Sequence, residues 1–363
     1  MKVLLGSPLS GVQGGISRWT EHIIGYYKGN CADSLDLQLL DMGRSQFVNI
    51  NMPTWKRFYK AFVDYCEIIK EFKKTLKSDK YDLLHLASSA SISLIKDYLM
   101  VQIAKKHGVK TVVQYHFGRI PYLKIANNWE WKLLVKVIRM ADRVVVIDKA
   151  SYEALISCGF NNISLLPNPV APVVCDIVEK NKDIVREPMT ILFTGHVVKT
   201  KGIYELLEAC KNLKDIKLKI VGHITDDIRK SIIEQYGTPD WFDICGEMPY
   251  ESVIKEMMRC DVFVLPTYTE GFPNVILESM ASGCAIVSTP VGAIPQMLEG
   301  DENGKYGILV PPQDMEKLQT ALERVLSDES LKSELRSNAI RRVNERYNIA
   351  SVWNQMVKIW ETL

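Results

Sequence analysis

A chain of 363 residues and 41.3 kDa is longer than a single hydrophobic core usually grows, so two domains are expected. With 47% hydrophobic and 24% charged residues it is neither disordered nor fibrous, and no apolar run approaches the roughly 18 residues of a membrane span. The net charge of +2 conceals a division: residues 1–165 carry 23 Lys and Arg against 14 Asp and Glu, net +9, and residues 166–363 carry 22 against 29, net −7, so the halves face different partners.

The amino terminus, MKVLLGSPLSG, is too short in apolar residues for a signal-peptide core and reads as a first strand in a chain expected to stay in the cytosol. Short β-branched runs ending in Gly or Pro then alternate with amphipathic stretches, the pattern of parallel βαβ units. Strands are predicted at 2–6, 35–41, 82–87, 110–116 and 143–148, with helices near 15–28, 54–78, 91–107, 129–140 and 149–157. A second series of strands follows at 189–195, 217–222, 241–246, 261–266 and 284–289. The predicted fold is α/β, with two doubly wound Rossmann-like domains.

Between the series, residues 165–188 hold four Pro and many charges and read as a connector, so the domains are predicted as 1–165 and 166–345. In residues 346–363, Val352, Met356, Ile359, Trp360 and Leu363 recur at helical spacing, which predicts a terminal helix packing back on the first domain. Eight Cys are scattered without a C-x-x-C and read as reduced, buried thiols.

In doubly wound sheets ligands bind beyond the carboxyl ends of strands, so the residues after each strand are the candidates. Strand 261–266 leads into YTEGFPNVILESMASG, where a helix is expected from about Pro273 to Gly283. Glu278 is the only charge of that helix, surrounded by Val275, Ile276, Leu277, Met280 and Ala281. A buried carboxylate needs donors, which either a sugar diol or a Lys or Arg across the domain could supply; the remaining alternative is that Glu278 sits on a solvated edge. After strand 189–195, GHVVKTKG brings His196, Lys199 and Lys201 to a helix start at Gly202, which is either a phosphate site or a solvated lysine loop. It lacks the G-x-x-x-x-G-K of a Walker A loop. In the first domain Gly11, Gly14 and Gly15 follow the first strand, either for close ligand approach or as a flexible turn, and they do not form G-x-G-x-x-G. His116 ends strand 110–116 at the same kind of edge, where a lone His is more often structural.

Together these residues resemble the retaining GT-B glycosyltransferases of family 4, many of which build bacterial surface polysaccharides. The most specific stretch is PTYTEGFPNVILESMASGCAIVSTPVGAIPQML, residues 266–298, similar to the family's paired-glutamate motif. The resemblance implies two domains facing an interdomain cleft and a nucleotide-diphosphate sugar donor, a UDP-sugar favoured and GDP-mannose next, with a glycan or lipid-linked acceptor. It implies that Glu278 holds the ribose hydroxyls, and that Glu270 with the backbone of Gly271, Phe272, Pro273 and Asn274 grips donor sugar and phosphate. It puts Lys201 on the diphosphate, with His196 where relatives usually carry Arg and Lys199 as a substitute for that charge. It also matches Gly14 and Gly15 to the family's glycine loop and His116 to the histidine beside the donor sugar. Gly222, Gly246, Glu247 and Met248 fall where the base is cradled.

No D-x-D occurs, so neither a metal nor another cofactor is expected. A nicotinamide-dependent oxidoreductase should show a dinucleotide fingerprint. A sugar-nucleotide epimerase of the same fold and a non-catalytic carbohydrate-binding protein are the competing functional readings. Residues 54–80 hold eight Lys or Arg against four acids, with Trp55, Phe58, Tyr59, Phe62, Cys66 and Ile69 near helical spacing. That helix either rests on an anionic membrane or packs on the core with a solvated basic face. No nucleic-acid partner is expected.

Overall fold

Six strands of the first half are β1 (Lys2–Ser7), β2 (Asp36–Asp41), β3 (Leu83–Ser88), β4 (Lys110–Tyr115), β5 (Arg143–Val146) and β6 (Ile163–Leu165). Those of the second are β7 (Thr190–Thr194), β8 (Lys217–Val221), β9 (Phe242–Gly246), β10 (Val262–Leu265), β11 (Ala285–Ser288) and β12 (Ile308–Leu309). This computed structural model describes residues 1–10, 14–31, 35–43, 54–301 and 304–363, excepting the side chains of 54–58 and 61. Gly11 and the side chains of Trp55 and Phe58 therefore lie outside the described residues.

Each series forms one parallel six-stranded sheet, in the orders β2-β1-β3-β4-β5-β6 and β12-β11-β10-β7-β8-β9. Leu and Val runs are needed because helices cover both faces of such sheets. Accordingly β3 is buried along its whole length, as are β7, β10 and β11. The sixth strands, β6 and β12, are absent from the sequence pattern. At three and two residues they are too short to show a period, and both sit at sheet edges.

Two compact units result, Met1–Asn168 with Val352–Leu363, and Pro169–Ser351. In the first, strand residues such as Leu84, Val113 and Val144 pack with Phe72, Leu94, Met100 and Ile138. In the second, Phe193, Ile220 and Phe263 pack with Leu206, Met257, Ile276 and Leu322.

The stretch read as a connector is largely structured. Pro172 starts a helix, Pro172–Lys180, where its missing N–H costs nothing, and Val174 and Ile177 enter the core of the second unit. Arg186 then donates to the carbonyls of Cys260 and Ser282, each at 2.8 Å, where two helices end. A cation there also meets the negative ends of the helix dipoles.

The last helix, Ile349–Glu361, buries Val352, Trp353, Met356 and Trp360, while Ile359 and Leu363 are half-buried. Its Trp353 ring lies 5.9 and 6.0 Å from those of Tyr26 and Tyr27 in the first unit. The thiols divide: Cys210, Cys260 and Cys284 are buried as expected, whereas Cys66, Cys158 and Cys175 are exposed. No helix among the described residues is long and apolar enough to cross a membrane.

Candidate active site

In the second unit the chain runs from β7 outward to β9, then returns to the other side of β7 as β10. The carboxyl ends of β7 and β10 therefore flank the point where strand order reverses, the usual ligand crevice of such sheets. The two loops leaving that point carry Lys201 and Glu270. They are in direct backbone contact. Gly202 has φ +73°, and a Cβ there would sit 2.1 Å from the Pro266 carbonyl oxygen, so only glycine lets the loops meet. The Tyr268 N–H donates to the Thr200 carbonyl at 2.9 Å. From the other side Gly292 backs onto Glu270, where a Cβ would lie 2.3 Å from its carbonyl oxygen, and the Ala293 N–H donates to the Gly271 carbonyl at 2.9 Å.

Clamped in this way, the loops place Lys201 Nζ on Glu270 Oε1 as an ion pair, with side chains 25% and 11% exposed. Lys201, expected on the diphosphate, and Glu270, expected on the donor sugar and phosphate, are partners of each other.

The helix bearing Glu278 spans Asn274–Ala281, with Pro273 as its N-cap rather than in its first turn. Ile276, Leu277 and Met280 are buried, whereas Glu278 is only half-buried. The expectation of a buried carboxylate is thus corrected: the helix runs along the edge of the core and turns Glu278 outward. Tyr250, at the start of the helix Tyr250–Arg259, donates its hydroxyl to Glu278 Oε1 at 2.8 Å. Nothing in the sequence around Tyr250 distinguishes it as a site residue. Asn274 Oδ1 is enclosed without a partner among the described residues, and Phe272 packs its ring 6.4 Å from that of Tyr347.

Along the same edge, the exposed His196 ring lies 6.0 Å from the ring of His223, whose Nδ1 is 3.7 Å from Glu247 Oε1. The Gly222 N–H donates to the Gly246 carbonyl at 2.8 Å, tying the ends of β8 and β9 together. Lys199 is exposed in the short turn Lys199–Lys201, and Met248 packs on the core. His223 is not among the residues expected at the site, although a signal exists: the neighbouring strands β7 and β8 both run into Gly-His, at 195–196 and 222–223.

In the first unit, His116 follows β4 and meets the Trp19 ring edge-on at 4.7 Å. The residue is part-exposed, yet its Nε2 is enclosed and has no partner among the described residues. Burial, and then the nearness of His85, push its pKa down to about 3, with Asn168 opposing. His85, wholly buried in β3, is pushed down by burial to about 4. Both imidazoles are neutral at physiological pH. Gly14 caps the helix Gly15–Asn30, and its N–H donates to Ser17 Oγ at 2.7 Å. A Cβ on Gly14 or Gly15 would meet nothing within 4 Å among the described residues. Among the described residues no group of His, Cys, Asp and Glu is arranged to hold a metal ion.

Residues 176–342 match the family model "Glycosyl transferases group 1", and residues 42–173 match that of "Glycosyltransferase Family 4", so the two together span most of the chain. The chain belongs to the GT-B glycosyltransferases. Among relatives, this glycosyltransferase is 25% identical over 321 residues to TuaC of Bacillus subtilis, described as a putative teichuronic acid biosynthesis glycosyltransferase, covering 82% of this chain and 77% of that one. It is 28% identical over 301 residues to the capsular polysaccharide biosynthesis glycosyltransferase CapM of Staphylococcus aureus, covering 80% and 67%. In fold it is similar to sucrose-phosphate synthase of Thermosynechococcus elongatus, with TM-score 0.73, 18% identity and 99% and 98% of the two chains covered. It is also similar to HepE of Anabaena, solved in complex with UDP, with TM-score 0.71, 16% identity and full coverage of both.

Proposed function

We propose that this glycosyltransferase is retaining and moves a hexose or N-acetylhexosamine from a nucleotide-diphosphate sugar to a glycan or lipid-linked acceptor in polysaccharide biosynthesis. A UDP-sugar is favoured as donor and GDP-mannose comes next. The observation that carries this reading is the Lys201–Glu270 pair held where the strand order reverses, a few residues from Glu278. The relatives' roles in teichuronic acid and capsule synthesis and the UDP bound by HepE support it.

In the mechanism, Glu278 takes the ribose hydroxyls beside Tyr250, and Lys201, Lys199 and the N–H end of helix Asn274–Ala281 meet the diphosphate without a divalent metal. Gly222, Gly246, Glu247 and Met248 receive the base. Glu270 and the backbone of 271–274 hold the sugar, leaving no carboxylate for a covalent intermediate. The departing phosphate accepts the proton of the incoming hydroxyl on the face it leaves. His116, neutral, orients the oxocarbenium-like sugar without adding a repelling charge.

The anomeric coupling of the first product formed in chelator, with intact-protein mass spectrometry during turnover, is the test. Retention without an adduct is expected. Inversion, a strict metal requirement or a glycosyl-enzyme would each overturn the mechanism. A thermal-shift comparison of UDP-, GDP- and ADP-sugars selects the donor.

The helix Thr54–Ser78 favours a cytoplasmic enzyme peripheral at the inner face of an anionic membrane. Its core side is Ile68, Phe72 and Leu76, not the stripe that includes Tyr59, Phe62 and Cys66. Tyr59 and Phe62 are 68% and 66% exposed and lie on one stripe with the exposed Cys66, Lys70, Lys73 and Lys77. Aromatics at one end and lysines at the other suit an interface with anionic headgroups. Co-sedimentation with phosphatidylglycerol vesicles, lost at high salt, is expected; no binding at low salt would remove this proposal.

A further inference from the structure

We infer that Trp360, on the last helix of the chain, is a positioning residue for His116, acting through His85 and Trp19. The inference rests on the assignment of His116 to the reacting sugar. An indole N–H can only donate, and Trp360 Nε1 lies 2.9 Å from His85 Nδ1. That nitrogen must carry a lone pair. The single proton of the neutral ring then sits on Nε2, which faces Gln114 Oε1 at 3.0 Å. Both ring nitrogens are spent, so His85 cannot turn without losing two hydrogen bonds in a site closed to water.

The next link is packing. The Trp19 indole, 3% exposed, has its ring 6.1 Å from that of His85 and 4.7 Å from that of His116. In a close-packed interior a tilt of His85 has no empty volume to dissipate into, and it moves Trp19 against His116. The last helix also grips the far end of the element that carries Trp19. Its Trp353 packs on Tyr26 and Tyr27, which share the helix Gly15–Asn30 with Trp19. The series Trp360, His85, Trp19, His116 thus ends on an imidazole whose Nε2 is enclosed, with Asn168 beside the ring.

Trp360→Phe keeps an aromatic ring and removes the N–H. With UDP release from UDP-glucose, or GDP release from GDP-mannose, whichever the unaltered enzyme catalyses, kcat is expected to fall roughly ten- to a hundredfold while the Kd for UDP or GDP stays put, since small misplacements at a reacting centre cost that much. Nitrogen-15 spectra of the unaltered protein should show His85 protonated on Nε2 with Nδ1 as acceptor, and spectra of the variant should show a mixture of tautomers. A folded variant with unchanged kcat, or an Nδ1-protonated His85 in the unaltered protein, overturns the inference. The spectrum decides even where the variant fails to fold. His116→Ala, assayed alongside, separates the two levels: loss there without loss in Trp360→Phe sinks only the positioning role, whereas full activity there sinks the assignment of His116 as well.

Discussion

In the unit built on β7–β12 the carboxyl edge of the sheet gathers charge, with Lys201 on Glu270, Tyr250 on Glu278 and His223 beside Glu247. In the unit built on β1–β6 a neutral group, His85, Gln114, Trp19 and His116, lies at the same end of the sheet, alongside the charged Asp41 that ends β2 and the Arg119–Glu130 pair beyond β4. Two sheets of one size and one strand sense thus differ in the groups gathered there, an ion pair in one and paired neutral imidazoles in the other. A charged edge with exposed partners suits a ligand that brings its own charge, such as a diphosphate. On the proposed mechanism a neutral imidazole suits a sugar passing through a cationic state, which an imidazolium would repel.

The largest expected contrast is in acid. His85 and His116 have folded pKa values near 4 and 3, below the ordinary value of 6.5, so the unfolded chain takes up protons first as pH falls. Their contribution is present above about pH 6.5 and is lost on going down toward pH 4, at about 2 kcal/mol for each histidine by pH 5. Urea unfolding followed by tryptophan fluorescence at pH 7 and pH 5 reads this, because six of the seven Trp belong to the first unit. Replacing His85 by Gln should flatten the dependence. Equal midpoints at the two pH values would break the contrast between the edges.

Next in size, Lys201→Ala and Glu278→Gln should each weaken UDP binding by about 1.5–3 kcal/mol, the worth of a hydrogen bond to a charged group. Calorimetry measures it, and unchanged affinity in both would detach the charged edge from the nucleotide. A third contrast lies in the glycine loops. Gly202→Ala forces a Cβ against the Pro266 carbonyl at positive φ and should cost about 2 kcal/mol in denaturant titration. Gly14→Ala meets open space and should cost under about 0.5 kcal/mol, so any activity lost there reports on the ligand. The smallest effect on binding is that of His196→Arg, which adds a permanent charge beside Lys199 and should tighten UDP by about 1 kcal/mol in the same calorimetry.

Much of this is legible because single residues punctuate the chain. Pro273 and Gly283 bracket the helix of Glu278, and the strand before it falls within a residue of its expected position at each end. Proline misleads where its position matters more than its number, for Pro172 starts a helix within a stretch that composition marks as a connector. Glu278 reads as buried because apolar residues surround it along the chain, but a helix at the edge of a core has one side left over. Tyr250, Trp19 and Trp360 cannot be assigned from sequence, since their roles arise from partners 28, 97 and 275 residues away that only the fold brings near. The Gly-His pairs closing β7 and β8 are visible but need the strand order to become neighbours.

The division of labour between the two edges is tested most directly by titrating UDP into the isotopically labelled enzyme and following backbone amide shifts. Perturbations centred on residues 195–202, 246–250 and 266–278, with little change at 85 and 114–116, are the predicted result. Shifts that are largest around His85 and His116 while the loops of Lys201 and Glu270 stay unchanged would contradict it.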